Sequence, residues 1–189
     1  LGDGTTTSST VPVLVKGLKD VTKLSAGWSH VCTLKQDGTV HCWGQNNSGQ
    51  LGDGSTTDRY GPVAVKGLAK VSSVTIGAYF SCALKTDGTV ACWGANEVGQ
   101  LGDGTKGKGT DKATAVQVKG LVGVVTVKAG HSRACALTKD GYLSCWGNGV
   151  EVATVAPLVK SVACSDGDAC TGPDVCKAGK CGGAPKKCN

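Results

Sequence analysis

The chain has 189 residues, with 30 Gly, 11 Cys, no Met and a net charge of +6. Of its 20 basic residues only Arg59 and Arg133 are Arg, and the lysines are scattered with no run longer than Lys186-Lys187; a nucleic-acid surface clusters its basic residues and relies on Arg forks, so this balance argues against nucleic acid. No apolar run approaches the roughly 18–20 residues needed to cross a bilayer, so no membrane span is expected in this segment.

From its first residue the chain repeats itself. Leu-Gly-Asp-Gly at Leu1 returns at Leu51 and Leu101, and each copy runs through Lys-Gly-Leu (16–18, 66–68, 119–121) to a paired-cysteine segment ending in Cys-Trp-Gly. The third copy carries a three-residue insertion before Lys119. A long period in a β-like sequence predicts units that share one continuous core with their neighbours. The opening inside a motif leads us to expect further sequence before Leu1.

Within a unit, four short runs rich in Val and Thr are separated by Gly. In the second unit they are Pro62–Val65, Val71–Ile76, Ser81–Lys85 and Thr89–Trp93, with breaks at Gly67, Gly77, Asp87-Gly88 and Gly94. Such runs read as strands. Alternation places Cys82, Leu84, Val90 and Cys92 on one face and Ser81, Ala83, Ala91 and Trp93 on the other. Small residues beside one large Trp suit a sheet held between two other sheets. Four strands per unit predict an all-β fold of β-propeller blades.

Six cysteines form three equivalent pairs, Cys32/Cys42, Cys82/Cys92 and Cys135/Cys145, each flanking an Asp-Gly. We read Ser29–Gly44 as two strands around the loop Gln36-Asp37-Gly38, with Gly38 left-handed. Lys35 then faces Thr39, Leu34 faces Val40, and Cys32 faces Cys42. Counting outward from the loop makes the cysteines a non-hydrogen-bonded pair, with Cα atoms about 4.5 Å apart and within reach of a disulfide. Reduced, buried thiols are the competing reading. A gap this wide across a hairpin does not fit zinc, whose cysteines sit two to four apart. Three bridges imply an oxidising compartment, hence an extracellular or cell-surface protein.

The positions where matched units differ are the candidates for binding. After Gly27 comes Trp28-Ser29-His30, after Gly77 Ala78-Tyr79-Phe80, and after Gly130 His131-Ser132-Arg133. These equivalent loops are expected at one rim of the blades, where Trp28, His30, Tyr79, Phe80, His131 and Arg133 would meet a partner. Packing between blades is the alternative for Trp28 and Phe80. A second variable stretch holds Arg59 and Tyr60, with Thr105–Lys112 as its longer counterpart. Trp43, Trp93 and Trp146 recur identically and are assigned to packing. None of the three His, at positions 30, 41 and 131, has a partnering Cys or carboxylate in an identifiable motif, and no phosphate-cradling loop opens a helix. We therefore expect no catalysis, no cofactor and no metal.

Composition changes near the end. We place the repeats in residues 1–162 and a cysteine-rich, stalk-like module in 163–189, with Val152–Val162 as one more strand-like run. Cys164, Cys170, Cys176, Cys181 and Cys188 fall in the second part. Asp166, Asp168 and Asp174 lack the distal Glu of a calcium loop and read as turn caps. The spacing resembles a small cysteine-rich repeat found in tandem on secreted bacterial proteins, Cys188 opening the next copy.

The pattern Gly-x-x-x-x-Cys-x-Leu-x-x-Asp-Gly-x-Val-x-Cys-Trp-Gly-x-Asn-x-x-Gly-Gln-Leu-Gly runs over Gly27–Gly52 and Gly77–Gly102, and in part over Gly130–Asn148. It resembles the repeat of the regulator of chromosome condensation family, and its cysteines resemble the disulfide-bearing bacterial, extracellular branch. The third copy departs from the pattern after Trp146, where Gly147-Asn148-Gly149-Val150 replaces Gly-Gln-Leu-Gly. The resemblance implies a seven-bladed ring, completed by blades beyond these units. It also implies a scaffold that binds another macromolecule, a protein above all, through rim loops. A secreted enzyme inhibitor and an exchange factor for a small GTPase are the alternatives it raises, and the bridges argue against the second.

Overall fold

The computed structural model describes residues 1–148 and the backbone of two short strands near the C-terminus. The first sheet comprises β1 (Val21–Ala26), β2 (His30–Lys35), β3 (Val40–Gly44) and β4 (Arg59–Ala64), antiparallel and in that order. The second comprises β5 (Val71–Ile76), β6 (Phe80–Lys85), β7 (Val90–Gly94) and β8 (Lys112–Gln117) in the same order. The third has three strands among the described residues: β9 (Val124–Ala129), β10 (Arg133–Thr138) and β11 (Leu143–Gly147). No helix occurs among the described residues. The fold is all-β, built of β-propeller blades.

The sheets are out of phase with the sequence repeat. The run that opens the second unit is β4, and it pairs with β3 of the first unit, His41 opposite Ala64 and Gly44 opposite Arg59. The first and second sheets therefore each take their outer strand from the next unit. Pro62 sits in that outer strand, the one place in a sheet where a missing N–H costs no ladder bond. The strands also begin earlier than expected, at Arg59 and Phe80.

The hairpin register follows the Asp-Gly turns. Lys35 N–H donates to the Thr39 carbonyl, Leu34 faces Val40, and Cys32 faces Cys42. Gly38 has φ +80°, the left-handed conformation the turn requires. All three pairs are disulfides, Cys32–Cys42, Cys82–Cys92 and Cys135–Cys145, with Cα separations of 4.0–4.1 Å.

Successive sheets pack face to face. Cys82, Leu84, Val90 and Cys92 share one core with Ala134, Ala136 and Trp146 of the third sheet. On the opposite face, Ala83 and Trp93 share a second core with Cys32, Leu34, Val40 and Cys42 of the first. The disulfide faces of the first and second blades are thus covered by the small residues and the Trp of the next. Strand β1 packs on β5, and β5 on β9, along the inner edge where the sheets converge.

The tryptophan of each later blade is held by its predecessor's loop. The Trp93 indole Nε1–H donates to the Gln50 carbonyl at 2.9 Å, and Trp146 does the same to Gln100. Asn46 and Asn96 pin these loops from inside. Each carboxamide accepts from the backbone N–H of Leu51 or Leu101 and donates to Asp53 or Asp103.

Strands β12 (Val175–Lys177) and β13 (Lys180–Gly182) pair with Cys176 opposite Cys181. The expected run Val152–Val162, the boundary at residues 162/163, and Cys164, Cys170 and Cys188 lie outside the described residues.

Candidate functional site

Three equivalent loops converge at the inner edge: Gly27–Ser29 between β1 and β2, 77–79 between β5 and β6, and 130–132 between β9 and β10. Glycine at the first position permits the approach. A Cβ on Gly27 would strike the Ile76 side chain and lie 2.7 Å from the Gly77 carbonyl oxygen. A Cβ on Gly77 would strike the Phe80 ring and lie 2.6 Å from the Gly130 oxygen. The backbones then bond across blades, Ala78 N–H donating to the His131 carbonyl at 2.9 Å. The Ser29 hydroxyl donates to the Ala78 carbonyl at 3.4 Å.

Stacking the loops gathers one aromatic ring from each blade. The Trp28 ring centroid lies 6.0 Å from that of Tyr79 and 5.4 Å from that of His131, both tilted rather than parallel. Tilted pairs at this spacing are favourable ring contacts. Yet Trp28 remains 70% exposed and Tyr79 38%. A depression of about 280 Å³ lies beside them, lined by Trp28, Ile76, Ala78, His131 and the three glycines. The indole is thus held in place by two neighbouring rings and presents most of its surface outward.

The remaining sequence candidates are placed differently. His30 and Phe80 are buried, at 3% and 0% exposure, and neither can reach a partner from there. Each is the first residue of its strand, and strand parity puts His30 with Cys32 and Leu34 on the face covered by the next blade. That parity was available in the sequence, and it overrides their apparent place in a loop. Arg133 has the same parity on the third sheet and is exposed. Arg59 opens the outer strand β4, where its guanidinium pairs with Asp53 at 2.8 Å and contacts the Ser55 hydroxyl. Burial opposes ionisation of Asp53, but its bonds to Ser55 and Arg59 outweigh this and hold its pKa below the usual value. Tyr60, beside Arg59, is exposed on the same outer strand.

His30, expected at the rim, has buried partners that its place in the sequence does not point to. The His30 Nε2 lies 2.8 Å from the Ser81 hydroxyl of the second blade, and that hydroxyl donates to the Gln50 carbonyl at 3.0 Å. His30 Nδ1 is buried without a partner. Burial pushes the pKa of His30 down to about 4. Among the described residues no group of three or more His, Cys, Asp or Glu side chains is gathered to hold a metal.

The regulator of chromosome condensation (RCC1) repeat model matches residues 1–34, 37–84 and 87–137. A second model of the same repeat matches 21–50, 71–100 and 124–151, in phase with the sheets. No curated protein matches the chain. Yeast RCC1 (Prp20), solved bound to Kap60, is 27% identical with a TM-score of 0.60 over 72% of this chain and 31% of its own. Prp20p from Saccharomyces cerevisiae, a structure described with its binding to Gsp1p and histones, is 26% identical with a TM-score of 0.59, over 72% of this chain and 32% of its own. Human WBSCR16 shares the fold, at 24% identity and a TM-score of 0.61 over 67% of this chain and 33% of its own. The chain spans about a third of the length of these proteins.

Proposed function

Because the chain belongs to the regulator of chromosome condensation (RCC1) repeat family, we propose that it is a non-catalytic binding scaffold whose ligand is another protein. The observation that carries this reading is the exposed Trp28–Tyr79–His131 platform, assembled from equivalent loops of three blades. Exposed, braced aromatics are the side chains that dominate protein interfaces. Arg133 is the charged neighbour we assign to the same surface, and Arg59 and Tyr60, on the outer strand β4, are assigned to a second contact region. The protein ligands of the yeast relatives support the class of partner and leave its identity open. We place the protein outside the cell or on its surface, a location supported by the three bridges. In the same reading residues 1–162 are the propeller part, completed by further blades, and 163–189 a disulfide-held stalk.

The test starts by placing a photo-cross-linking amino acid at position 28 and, as a control, at the exposed position 142. A partner trapped from 28 and not from 142 is then purified and its affinity measured. Trp28→Ala should cost about 2 kcal/mol or more in binding while leaving the melting temperature unchanged. Normal binding by both Trp28→Ala and Tyr79→Ala would place the interface elsewhere.

A further inference from the structure

The platform straddles two blade joints of different chemistry. Trp28 lies two residues before His30 in the first blade, and Tyr79 two before Ser81 in the second. At the first joint His30 meets Ser81. At the second, Phe80 and Ala134 hold the same two positions, both fully buried in one apolar core.

The hydrogen bonds fix the state of His30. Ser81 has one hydroxyl proton and gives it to the Gln50 carbonyl. Its oxygen must therefore accept from the imidazole, so the proton of neutral His30 sits on Nε2. Nδ1 is left with a bare lone pair, buried and without a donor. A proton added there would bring a positive charge into the joint with no acceptor to meet it. The elements packed around His30 offer none. Its own sheet contributes Gly27, whose N–H bonds the His30 carbonyl, Gly44 at close range and the Cys32–Cys42 bridge. The second blade contributes the Ser81 hydroxyl, and the loop before it the Gln50 carbonyl. No charged side chain of β1, β3, β5 or β6 acts on it, and burial alone depresses its basicity.

We propose that the joint between the first and second blades is an acid-operated hinge, in which protonation of His30 parts the two sheets at their loop end and dismantles the Trp28–Tyr79–His131 platform. This rests on the reading of that platform as the binding site. His131 stays with the second blade through the Ala78–His131 backbone bond, so Trp28 is the ring that leaves. A partner is held near neutral pH and released in acid.

The two indole hydrogen bonds report the two joints separately. Hydrogen–deuterium exchange at the Trp93 Nε1–H reads the first joint, and exchange at the Trp146 Nε1–H reads the second. Their ratio in the free chain cancels the intrinsic pH dependence of exchange. With His30 titrating near 4 when closed and near 6.5 when open, the Trp93/Trp146 ratio should rise roughly 20-fold between pH 7 and pH 5. The double variant His30→Phe/Ser81→Ala gives the first joint the residues of the second and should abolish the rise. A flat ratio in the wild type, or a rise that survives in the double variant, overturns the hinge. If the double variant does not fold, direct NMR titration of His30 in the wild type decides: a midpoint above 6 with the sheets still joined is fatal to the proposal. The partner enters in a separate arm. A hinge that opens in acid while Trp28→Ala binds normally at pH 7 would refute the binding site and leave the hinge standing. A Trp28→Ala variant that loses binding, beside a wild type that keeps its partner at pH 5, would refute the hinge and leave the site.

Discussion

Trp93, on strand β7 of the second sheet, and Gln50, in the loop that joins β3 to β4 of the first, are linked by one bond from the indole Nε1–H to the Gln50 carbonyl at 2.9 Å. The same carbonyl accepts the Ser81 hydroxyl. Trp93 is fully buried, with Gly52 packed so closely on its ring that a Cβ there would lie 2.8 Å from Nε1. Trp93→Ala opens a large cavity and leaves the Gln50 carbonyl short of a donor. The expected cost is about 3–5 kcal/mol, read by urea denaturation. Trp28→Ala removes an exposed ring and should change stability by no more than about 0.5 kcal/mol.

The three bridges should differ in access to reductant. Cys32, Cys42, Cys82 and Cys92 are fully buried under the next sheet, whereas Cys135 and Cys145 of the third sheet have no further sheet over them among the described residues and are partly exposed. Under mild reduction followed by alkylation and peptide mapping, Cys135 and Cys145 should be labelled first. Equal labelling of all six would mean that the blades open together.

Stability should fall in acid over a defined window. The folded-state pKa of His30 is depressed to about 4 from 6.5, so the unfolded chain takes up a proton before the folded one does. The full contribution is present above about pH 6.5, declines as the pH drops, and levels off below about pH 4, for a total of roughly 3 kcal/mol. Burial lowers the pKa of His41 as well and adds a smaller slope of the same sign. Asp37 and Asp87, held to about 2 chiefly by the hydroxyls of Thr39 and Thr89, contribute a slope of the same sign at lower pH, as the pH falls through their ordinary value of 3.8 toward 2. Denaturation at pH 7, 5.5 and 4.5 should show the slope, and His30→Phe should remove most of it.

Two glycines should respond differently to alanine. Gly77→Ala forces a methyl into the Phe80 ring and the Gly130 carbonyl, which separates the second and third loops. It should destabilise by several kcal/mol and expose Tyr79 and His131 further. Gly67 has φ +70° with nothing near its missing Cβ, so Gly67→Ala carries only the backbone penalty, about 1–2 kcal/mol. Thermal melts of both variants separate crowding from strain.

The sequence carried the blade type and the hairpin register, because Asp-Gly turns and paired cysteines are local signals that recur in phase. It did not carry the phase of the sheets. A 50-residue period can be cut anywhere, and nothing within one unit reveals that Arg59–Ala64 pairs backward with Val40–Gly44. The site was half legible. Trp28, Tyr79 and His131 stood out by differing between copies, while the role of His30 depends on Ser81 and Gln50, residues remote from it in the chain. Asp20 and Lys70 show a further limit. Both sit in the left-handed region, at φ 58° and 54°, just before the inner strand, and only the third copy betrays the geometry by placing Gly123 there.

The first and second disulfide faces are each roofed by the following sheet, and this sets an order on biosynthesis. Thiol oxidation needs an approaching oxidant, and once Ser81, Ala83 and Trp93 settle over Cys32 and Cys42 no such approach remains. The first bridge must therefore close before the second blade docks, and the second before the third. Each hairpin spans few residues and can oxidise as soon as it emerges. Maturation then follows the direction of synthesis, with each of these two cross-links sealed by the arrival of the next repeat, and a thiol that misses its turn is trapped beneath it.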